Sequence, residues 1–285
     1  MRALIIATSA AVALFAWPVF AQQPGQGTAS IPDFSGMWGH LSCCGFEPPV
    51  AGPGPVTNRV RRNSAADLYR FVGDYTNPIL KPEAARVVKE HGDIELTGVP
   101  AAIPSNQCWP GGVPFVFWNI GIEIIQQPRQ VTILYANDRD FRQIRMNQTH
   151  PAKVTPSWYG DSIGHYEGDT LVIDTVGVKI GPFASVDQYG TPHTEALHVV
   201  ERYRLLDYDA TIEAETRGER ETFHLDTSDT GLSRDLAYMG KGLQLEFTVE
   251  DESVFTTPWS ATMTYRRPLS GLRKWSVPRA RARPT

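Results

Sequence analysis

Residues 162–175, with the sequence SIGHYEGDTLVIDT, decide the fold of this chain. Two extended segments that contain β-branched and aromatic residues flank the polar stretch Glu167-Gly168-Asp169. Glycine in such a stretch lets the chain reverse direction between two antiparallel strands. The sequence therefore predicts a β-hairpin here.

From Trp118 onward, on both sides of this hairpin, apolar and polar residues alternate with the period of two that is typical of strands. Further strands are predicted at 120–126, 131–135, 141–146, 197–206, 211–216, 243–249 and 261–266. With the hairpin, these segments make about nine strands joined by turn-rich connections. Such an array favours a mainly all-β fold, an antiparallel barrel or sandwich, over a parallel sheet.

Helix signals are confined to the N-terminal part of the chain. Residues 81–92 predict one helix, with Pro82 in its first turn, Glu83 complementing its dipole and Gly92 as its C-terminal stop. A second, shorter helix is predicted over 65–72. The expected fold is therefore all-β with one or two short N-terminal helices.

The two ends of the chain differ in composition from its centre. Residues 1–21 combine a positive start, an apolar run and a small-x-small cleavage site, which predicts a secretory signal peptide and a secreted or periplasmic protein. Residues 22–32 are rich in Gly, Pro and Gln and predict a flexible leader. Residues 271–285 form a basic tail. No other stretch is long enough to cross a bilayer.

The centre of the chain, residues 33–270, is predicted to be one β-rich domain, with loops and helices over 33–115 and antiparallel strands over 116–270. Apolar residues make up 41% of the 285 residues, which supplies a core and argues against disorder. The formal net charge of −4 provides no global positive field that would favour nucleic acid as a partner. The sequence has neither a phosphate-binding Gly-rich loop opening a helix nor a dinucleotide fingerprint, so no cofactor is predicted.

Three cysteines, Cys43, Cys44 and Cys108, would meet an oxidising compartment after secretion. Adjacent cysteines rarely bridge each other, so we expect one of Cys43 and Cys44 to pair with Cys108, and we take Cys44 as the partner. Such a bond would staple the loop-rich N-terminal region to the body of the domain.

Several ionisable residues in or next to the predicted strands are candidates for acid–base chemistry. Asp174 has apolar neighbours, and if it faces a barrel interior it needs a basic partner such as His165, His198 or Arg202. If Glu201 faces the interior, it likewise needs a basic partner. A carboxylate–imidazole pair of this kind has the parts of a general acid and base. The alternative is an interior salt bridge or a solvated outer row.

Aromatic residues are the candidates for contact with a ligand. Trp118, Trp158 and Tyr159 flank predicted strands and Tyr203 lies within one, so these rings could line the mouth of a ligand cavity. The alternative is that the large rings fill a barrel core.

Metal binding has one candidate segment. His193, Glu195 and His198 lie within six residues and carry the side chains that bind zinc or another divalent cation. On a continuous strand, His198 faces away from the other two, so all three converge only if the chain bends after Glu195. We therefore predict no metal site.

Two long motifs resemble those of a known family. Residues 156–175, PSWYGDSIGHYEGDTLVIDT, and residues 192–203, PHTEALHVVERY, are similar to a family of secreted bacterial proteins, mostly labelled hypothetical, within a resemblance that covers 78–259. Gly36 and Trp38 also resemble the opening of lipocalin-like barrels, where the Trp plugs one end. The resemblance implies a secreted, lipocalin-like β protein without a particular activity. The chain departs from the family pattern over 219–241.

Three functional hypotheses follow. The first is a secreted β-barrel that binds a small, partly apolar molecule. The second is a cofactor-independent lyase, hydratase or isomerase that uses a His–carboxylate pair, and the third is a structural or interaction domain of the cell envelope. The first two predict that Asp174, His198 and Arg202 point into one cavity bordered by Trp158. Absence of that cavity favours the third.

Overall fold

The computed structural model describes residues 31–40, 42–43, 45–60, 70–118, 121–136, 140–221, 223–224 and 238–267. The predicted signal peptide, most of the predicted leader, Cys44 and the basic tail lie outside these residues. Most of the helix predicted over 65–72 also lies outside them, and its described part, 70–72, is not helical.

Within the described residues the chain forms eleven strands and two α-helices. The strands are β1 (Gly36–Gly39), β2 (Ser42–Cys43), β3 (Gly121–Gln127), β4 (Gln130–Tyr135), β5 (Phe141–Met146), β6 (Asp161–Glu167), β7 (Thr170–Val176), β8 (His198–Leu206), β9 (Phe223–His224), β10 (Gly242–Glu250) and β11 (Trp259–Tyr265). The helices are α1 (Pro82–Leu96) and α2 (Tyr208–Glu221). Two short 3-10 turns, Pro104–Gln107 and Phe115–Trp118, precede β3.

Nine of these strands form one sheet in the order β1-β3-β4-β5-β6-β7-β8-β10-β11. Neighbouring strands are antiparallel except β5 and β6, which run parallel. The N–H of Gly39 donates to the carbonyl of Arg266 at 2.7 Å, and the N–H of Arg266 donates to the carbonyl of Gly39 at 2.8 Å. These bonds join the end of β1 to the residue that follows β11, so the sheet curls into a nearly closed barrel. The predicted all-β barrel with short helices is confirmed.

The hairpin at residues 162–175 is the pair β6–β7. Gly168 has a φ of +62° in its turn, a left-handed conformation that glycine adopts at little cost. Along β7, Leu171 and Ile173 are fully buried, whereas Asp174 lies half-buried on the opposite face. This alternation follows from the two-residue period of a strand, which separates the barrel interior from its outer surface.

Large side chains fill the barrel interior. Phe247 packs against Phe117 at 5.0 Å and against Trp259 at 6.1 Å between ring centroids. Fully burying one such side chain stabilises a fold by roughly 1.5–3 kcal/mol. The predicted alternative, in which large rings fill the core, therefore applies to most of the aromatic residues on the strands.

Both helices differ from the prediction. Residues 211–216, predicted as a strand, belong to α2, because Thr211, Ala214 and Gly218 recur with helical spacing and form its buried face. Asp207 caps this helix by accepting a hydrogen bond from the N–H of Ala210 at 2.9 Å. Helix α1 continues past Gly92 to Leu96, because Gly92 packs closely against Val72 and does not end the helix.

The predicted disulfide between Cys44 and Cys108 is not formed, because the thiol of Cys108 is free. Cys108 ends the 3-10 turn Pro104–Gln107 in a left-handed conformation, with a φ of 56°, and its side chain is exposed. Among the helices of the described ranges, none has the length and apolar character needed to cross a membrane.

Candidate functional site

The residues predicted to form one site occupy three separate regions. Glu201 and Tyr203 lie inside the barrel, whereas Asp174 and His198 meet on its outer surface. Trp158 and His193 line a cleft formed by loops at one end of the barrel. His165 and Arg202 join none of these groups.

A buried ion pair spans the barrel interior. Arg142 of β5 donates to Glu201 of β8 at 2.6 Å, and the side chains of the two residues are 2% and 0% exposed. Tyr203 donates to the same carboxylate oxygen at 3.1 Å. Burial raises the pKa of Tyr203, so its hydroxyl stays protonated and remains a donor. Glu201 is thus part of an interior salt bridge. This arrangement is the one predicted from the sequence as the alternative to a catalytic role.

A row of ionisable side chains crosses the outer surface at one end of the strands, and we call it the outer row. Its members are Arg145, Asp161, His150, Asp174, His198 and Glu250. Arg145 holds Asp161 through two bonds of 2.9 Å, and Asp161 accepts from Nδ1 of His150 at 2.6 Å. The predicted pairing of Asp174 with a basic residue exists, but on the outer face of the barrel.

Asp174 lies at the centre of the outer row. One of its oxygens is 2.9 Å from Nε2 of His150 and the other is 3.0 Å from Nε2 of His198. Nδ1 of His198 is 3.5 Å from Glu250. Because carboxylate oxygens only accept, both contacts of His150 are hydrogen bonds only when both ring nitrogens carry protons.

The outer row shifts the protonation of its members. Burial by itself would raise the pKa of Asp174, but hydrogen bonds from His198 and His150 outweigh it, so the pKa lies below its usual value. The hydrogen bond to Asp174 raises the pKa of His198 above the usual histidine value. Hydrogen bonds from His150 and Arg145 likewise lower the pKa of Asp161 against the opposing effect of burial. The row therefore favours charged carboxylates and a charged His198.

His165 and Arg202 form a separate, exposed group with Glu167. Nε2 of His165 is 3.0 Å from Glu167, and Arg202 forms an ion pair with the same carboxylate. About half of each of these side chains is exposed. The predicted convergence of Arg202 with Asp174 in one cavity is therefore wrong. This result counts against ligand binding or catalysis in a cavity formed by Asp174, His198 and Arg202, so any ligand site has to lie elsewhere on the surface.

The cleft lies against the loops that flank β6 and β7. The empty space of about 290 Å³ at the cleft is mostly open solvent, and its enclosed part has room for about one water molecule. Three aromatic rings form its walls. Trp109 meets Trp158 edge to face at 4.9 Å between ring centroids and meets Phe183 at 6.2 Å. The remaining lining residues are Pro104, Pro110, Gly112, Lys179, Gly181, Ala184, Ser185 and His193. A ligand of one or two rings would therefore lie across the open mouth of the cleft, against its aromatic walls, and would not be enclosed by it.

Two glycines leave room for Trp158 at its position in the cleft. A Cβ atom on Gly181 would lie 3.1 Å from the Trp158 ring, and one on Gly112 would lie 2.9 Å from the Trp158 carbonyl. The carbonyl of Ser157 accepts a hydrogen bond from the N–H of Lys179 at 2.8 Å, which ties the two walls together. Trp158 lies three residues before Asp161, so the cleft and the outer row occupy the same end of β6.

The cleft contains one imidazole, that of His193. Burial lowers the pKa of His193, which keeps the ring neutral at neutral pH. Nδ1 of this ring donates to the carbonyl of Thr194 at 3.2 Å, so Nε2 carries the lone pair. Asp251 anchors the segment by accepting from the N–H of Thr194 at 2.6 Å.

The predicted aromatic ligand contacts separate in the same way. Trp118 packs edge to face on Phe115 at 6.0 Å, and Tyr159 stacks with Tyr135 at 6.5 Å. Of the four predicted rings, only Trp158 lines the cleft. Trp109 and Phe183 were not predicted as ligand contacts, since both lie in loops without a strand pattern to mark them.

The structure does not bring the three metal candidates together. Glu195 is exposed, His193 lines the cleft and His198 belongs to the outer row. Across the part of the chain that the structure describes, no group of three His, Cys, Asp or Glu residues could hold a metal ion.

No protein-family model, curated protein or solved structure matches this chain. The functional conclusion therefore rests on the geometry of the cleft and of the outer row.

Proposed function

We propose that this protein is a secreted or periplasmic β-barrel that binds a small, partly apolar molecule with a planar ring. The binding site is the cleft at the end of β6 and β7. The observation that carries the proposal is the convergence of Trp109, Trp158 and Phe183 on one opening. Aromatic walls with a few polar groups are the usual composition of small-molecule sites.

We place the ligand site outside the barrel because side chains already fill the barrel interior. The barrel interior holds large rings and the Arg142–Glu201 pair, and these side chains are almost fully buried. The rings of the cleft, by contrast, are partly exposed, and Trp109 is 36% exposed. Partly exposed rings have contact area left for a guest, and covering it gains the free energy of apolar burial.

The test is a fragment titration of the full chain followed by saturation-transfer NMR and calorimetry. Indole, naphthalene and phenol serve as neutral planar probes. We expect saturable binding of at least one probe, weakened roughly three- to tenfold by Trp158→Ala. Phe141→Ala is the matched control, because Phe141 is 57% exposed and does not line the cleft.

The proposal fails if none of the probes shows saturable binding. It fails equally if Trp158→Ala and Phe141→Ala weaken binding to the same extent, because the binding surface would then lie elsewhere.

A second candidate function is acid–base catalysis by Asp174 and His198, and the outer row favours it. A half-buried imidazole with a raised pKa, hydrogen-bonded at 3.0 Å to a carboxylate, can exchange a proton with a substrate near neutral pH. In this function Asp174 orients the ring through Nε2 of His198, and Nδ1, which lies 3.5 Å from Glu250, exchanges the proton with the substrate.

The test of this second function starts from whatever molecule stays bound to the purified chain in native mass spectrometry. That molecule is incubated with fresh protein, and we expect an isomer or a product that differs by one water. Asp174→Asn and His198→Gln should abolish the conversion, whereas the control His165→Gln should retain it. Recovery of the molecule unchanged, or equal loss in all three variants, contradicts catalysis by this pair.

A further inference from the structure

The charges around the cleft indicate which class of ligand it takes. Lys179 is the only side chain among the lining residues that is charged at neutral pH, because no carboxylate lines the cleft and His193 is neutral. A positive group beside aromatic walls attracts a negative group on a flat ligand.

Lys179 is placed to make this contact. Its ammonium nitrogen lies 4.8 Å from the centroid of the Trp158 ring, which places the charge directly at the aromatic wall. Among the residues that the structure describes, no acidic side chain pairs with Lys179, in contrast to Lys89, which holds Asp93 at 2.6 Å. An unpaired ammonium on an aromatic face has a carboxylate as its natural partner.

The backbone around Lys179 fixes where this side chain begins. The N–H of Lys179 donates to the carbonyl of Ser157 at 2.8 Å, next to Trp158 in sequence. The lysine side chain therefore begins beside Trp158, and in the rotamer present it brings the ammonium group to the ring. A ligand that covers Trp158 brings any substituent on its near edge within reach of Lys179.

We propose that the cleft binds a planar aromatic anion, with its ring against Trp109, Trp158 and Phe183 and its anionic group paired with Lys179. This inference rests on the proposed binding function and adds the charge of the ligand to it. With the ammonium group 4.8 Å from the centroid of the Trp158 ring, an anionic group on the ligand ring or one carbon away from it lies within reach of Lys179. An aromatic carboxylate is the simplest molecule of this class.

The test compares two probes of nearly equal shape, indole-3-acetate and indole-3-acetamide, by calorimetry with the full chain at neutral pH and low salt. We expect the acetate to bind about two- to fivefold more tightly, the scale of one charge pair at an exposed site. Because exposed charges are screened by ions, high salt should reduce this preference.

Variants then assign the preference to a residue. Lys179→Gln should bind both probes with similar affinity, whereas Lys179→Arg should restore the preference because it restores the charge. Lys153→Gln is the matched control, since Lys153 is an exposed lysine that does not line the cleft. We expect this control to keep the wild-type preference.

The outcomes separate the two proposals. If both probes bind equally well to the wild type and Trp158→Ala weakens both, the cleft is the site and the anion inference is wrong. If neither probe binds in a manner that depends on Trp158, the proposed binding function is itself wrong. If the acetate is preferred but Lys179→Gln keeps that preference, the assignment to Lys179 is overturned.

Discussion

The buried pair Arg142–Glu201 leads to a prediction about folding stability, tested by Glu201→Gln. This change removes the charge of Glu201 and keeps its shape, including an oxygen that can accept the bond from Tyr203. Arg142 would then remain a cation inside the barrel, 2% exposed and without its counter-ion. Removing one partner of a buried pair costs about 3–5 kcal/mol, because the remaining charge stays desolvated.

The expected loss is large enough for calorimetry. In a domain of this size each kcal/mol shifts Tm by about 2–4 °C, so Glu201→Gln should lower Tm by roughly 6–20 °C. The double variant Arg142→Met with Glu201→Gln removes the stranded cation. Because buried pairs are often replaceable by uncharged groups of similar volume, it should recover most of the loss and lie within about 2 kcal/mol of the wild type.

The assay is urea unfolding followed by tryptophan fluorescence, with Tm from differential scanning calorimetry. Glu167→Gln provides the matched control, since Glu167 pairs with Arg202 on the exposed surface and such pairs contribute about 0–1 kcal/mol. A loss below about 1 kcal/mol for Glu201→Gln would refute the reasoning. So would a double variant as unstable as the sum of the two single changes, because that result would show no coupling across the barrel.

Two further predictions concern pH. Burial raises the pKa of Glu47 to about 8 from an unfolded value of 4.5, so the folded state holds a proton that the unfolded state loses. As pH rises from 4.5 to about 8, the free energy of unfolding of the wild type should fall by about 1.4 kcal/mol per pH unit relative to that of Glu47→Gln. Parallel stability–pH curves for the two proteins would contradict this prediction. Because the pKa of His198 is raised in the folded state, its ion pair with Asp174 stabilises the fold. This stabilisation is fully present below the unfolded-state pKa of 6.5 and is lost as pH rises through the folded-state pKa. His198→Gln should therefore lower Tm more at about pH 5.5 than at about pH 9, whereas the exposed His165→Gln should show a small effect at both; equal losses for His198→Gln at the two pH values would exclude this ion pair as the cause.

The strands were predictable because period-two patterning is a local property of the sequence. Strand β5 matches the prediction residue for residue, and the other strands of the barrel that were predicted differ at their ends by one or two residues. The exception, 211–216, has a β-branched start that resembles a strand. Its buried residues, Thr211, Ala214 and Gly218, have helical spacing, so a helix buries them together against the barrel.

The partners of the ionisable residues were not predictable, because their pairing depends on register and closure. Glu201 was singled out, but its partner Arg142 lies 59 positions earlier and reaches it across the barrel. His150 was missed because it lies in a loop, and only the fold places it between Asp161 and Asp174. A single sequence carries no signal for contacts of this kind.

The division of the predicted site follows from the parity of strand positions. On β8, His198 and Arg202 are an even number of residues apart and share the outer face, whereas Glu201 is an odd number from both and faces inward. Asp174 pairs in register with Val200, which places it on the same face as His198. A shift of one residue in the pairing of β8 would move Glu201 to the surface and His198 into the apolar interior, each at a large desolvation cost. The buried Arg142–Glu201 pair therefore fixes the register that keeps Asp174 and His198 on the outside, at the same end of the barrel as the cleft.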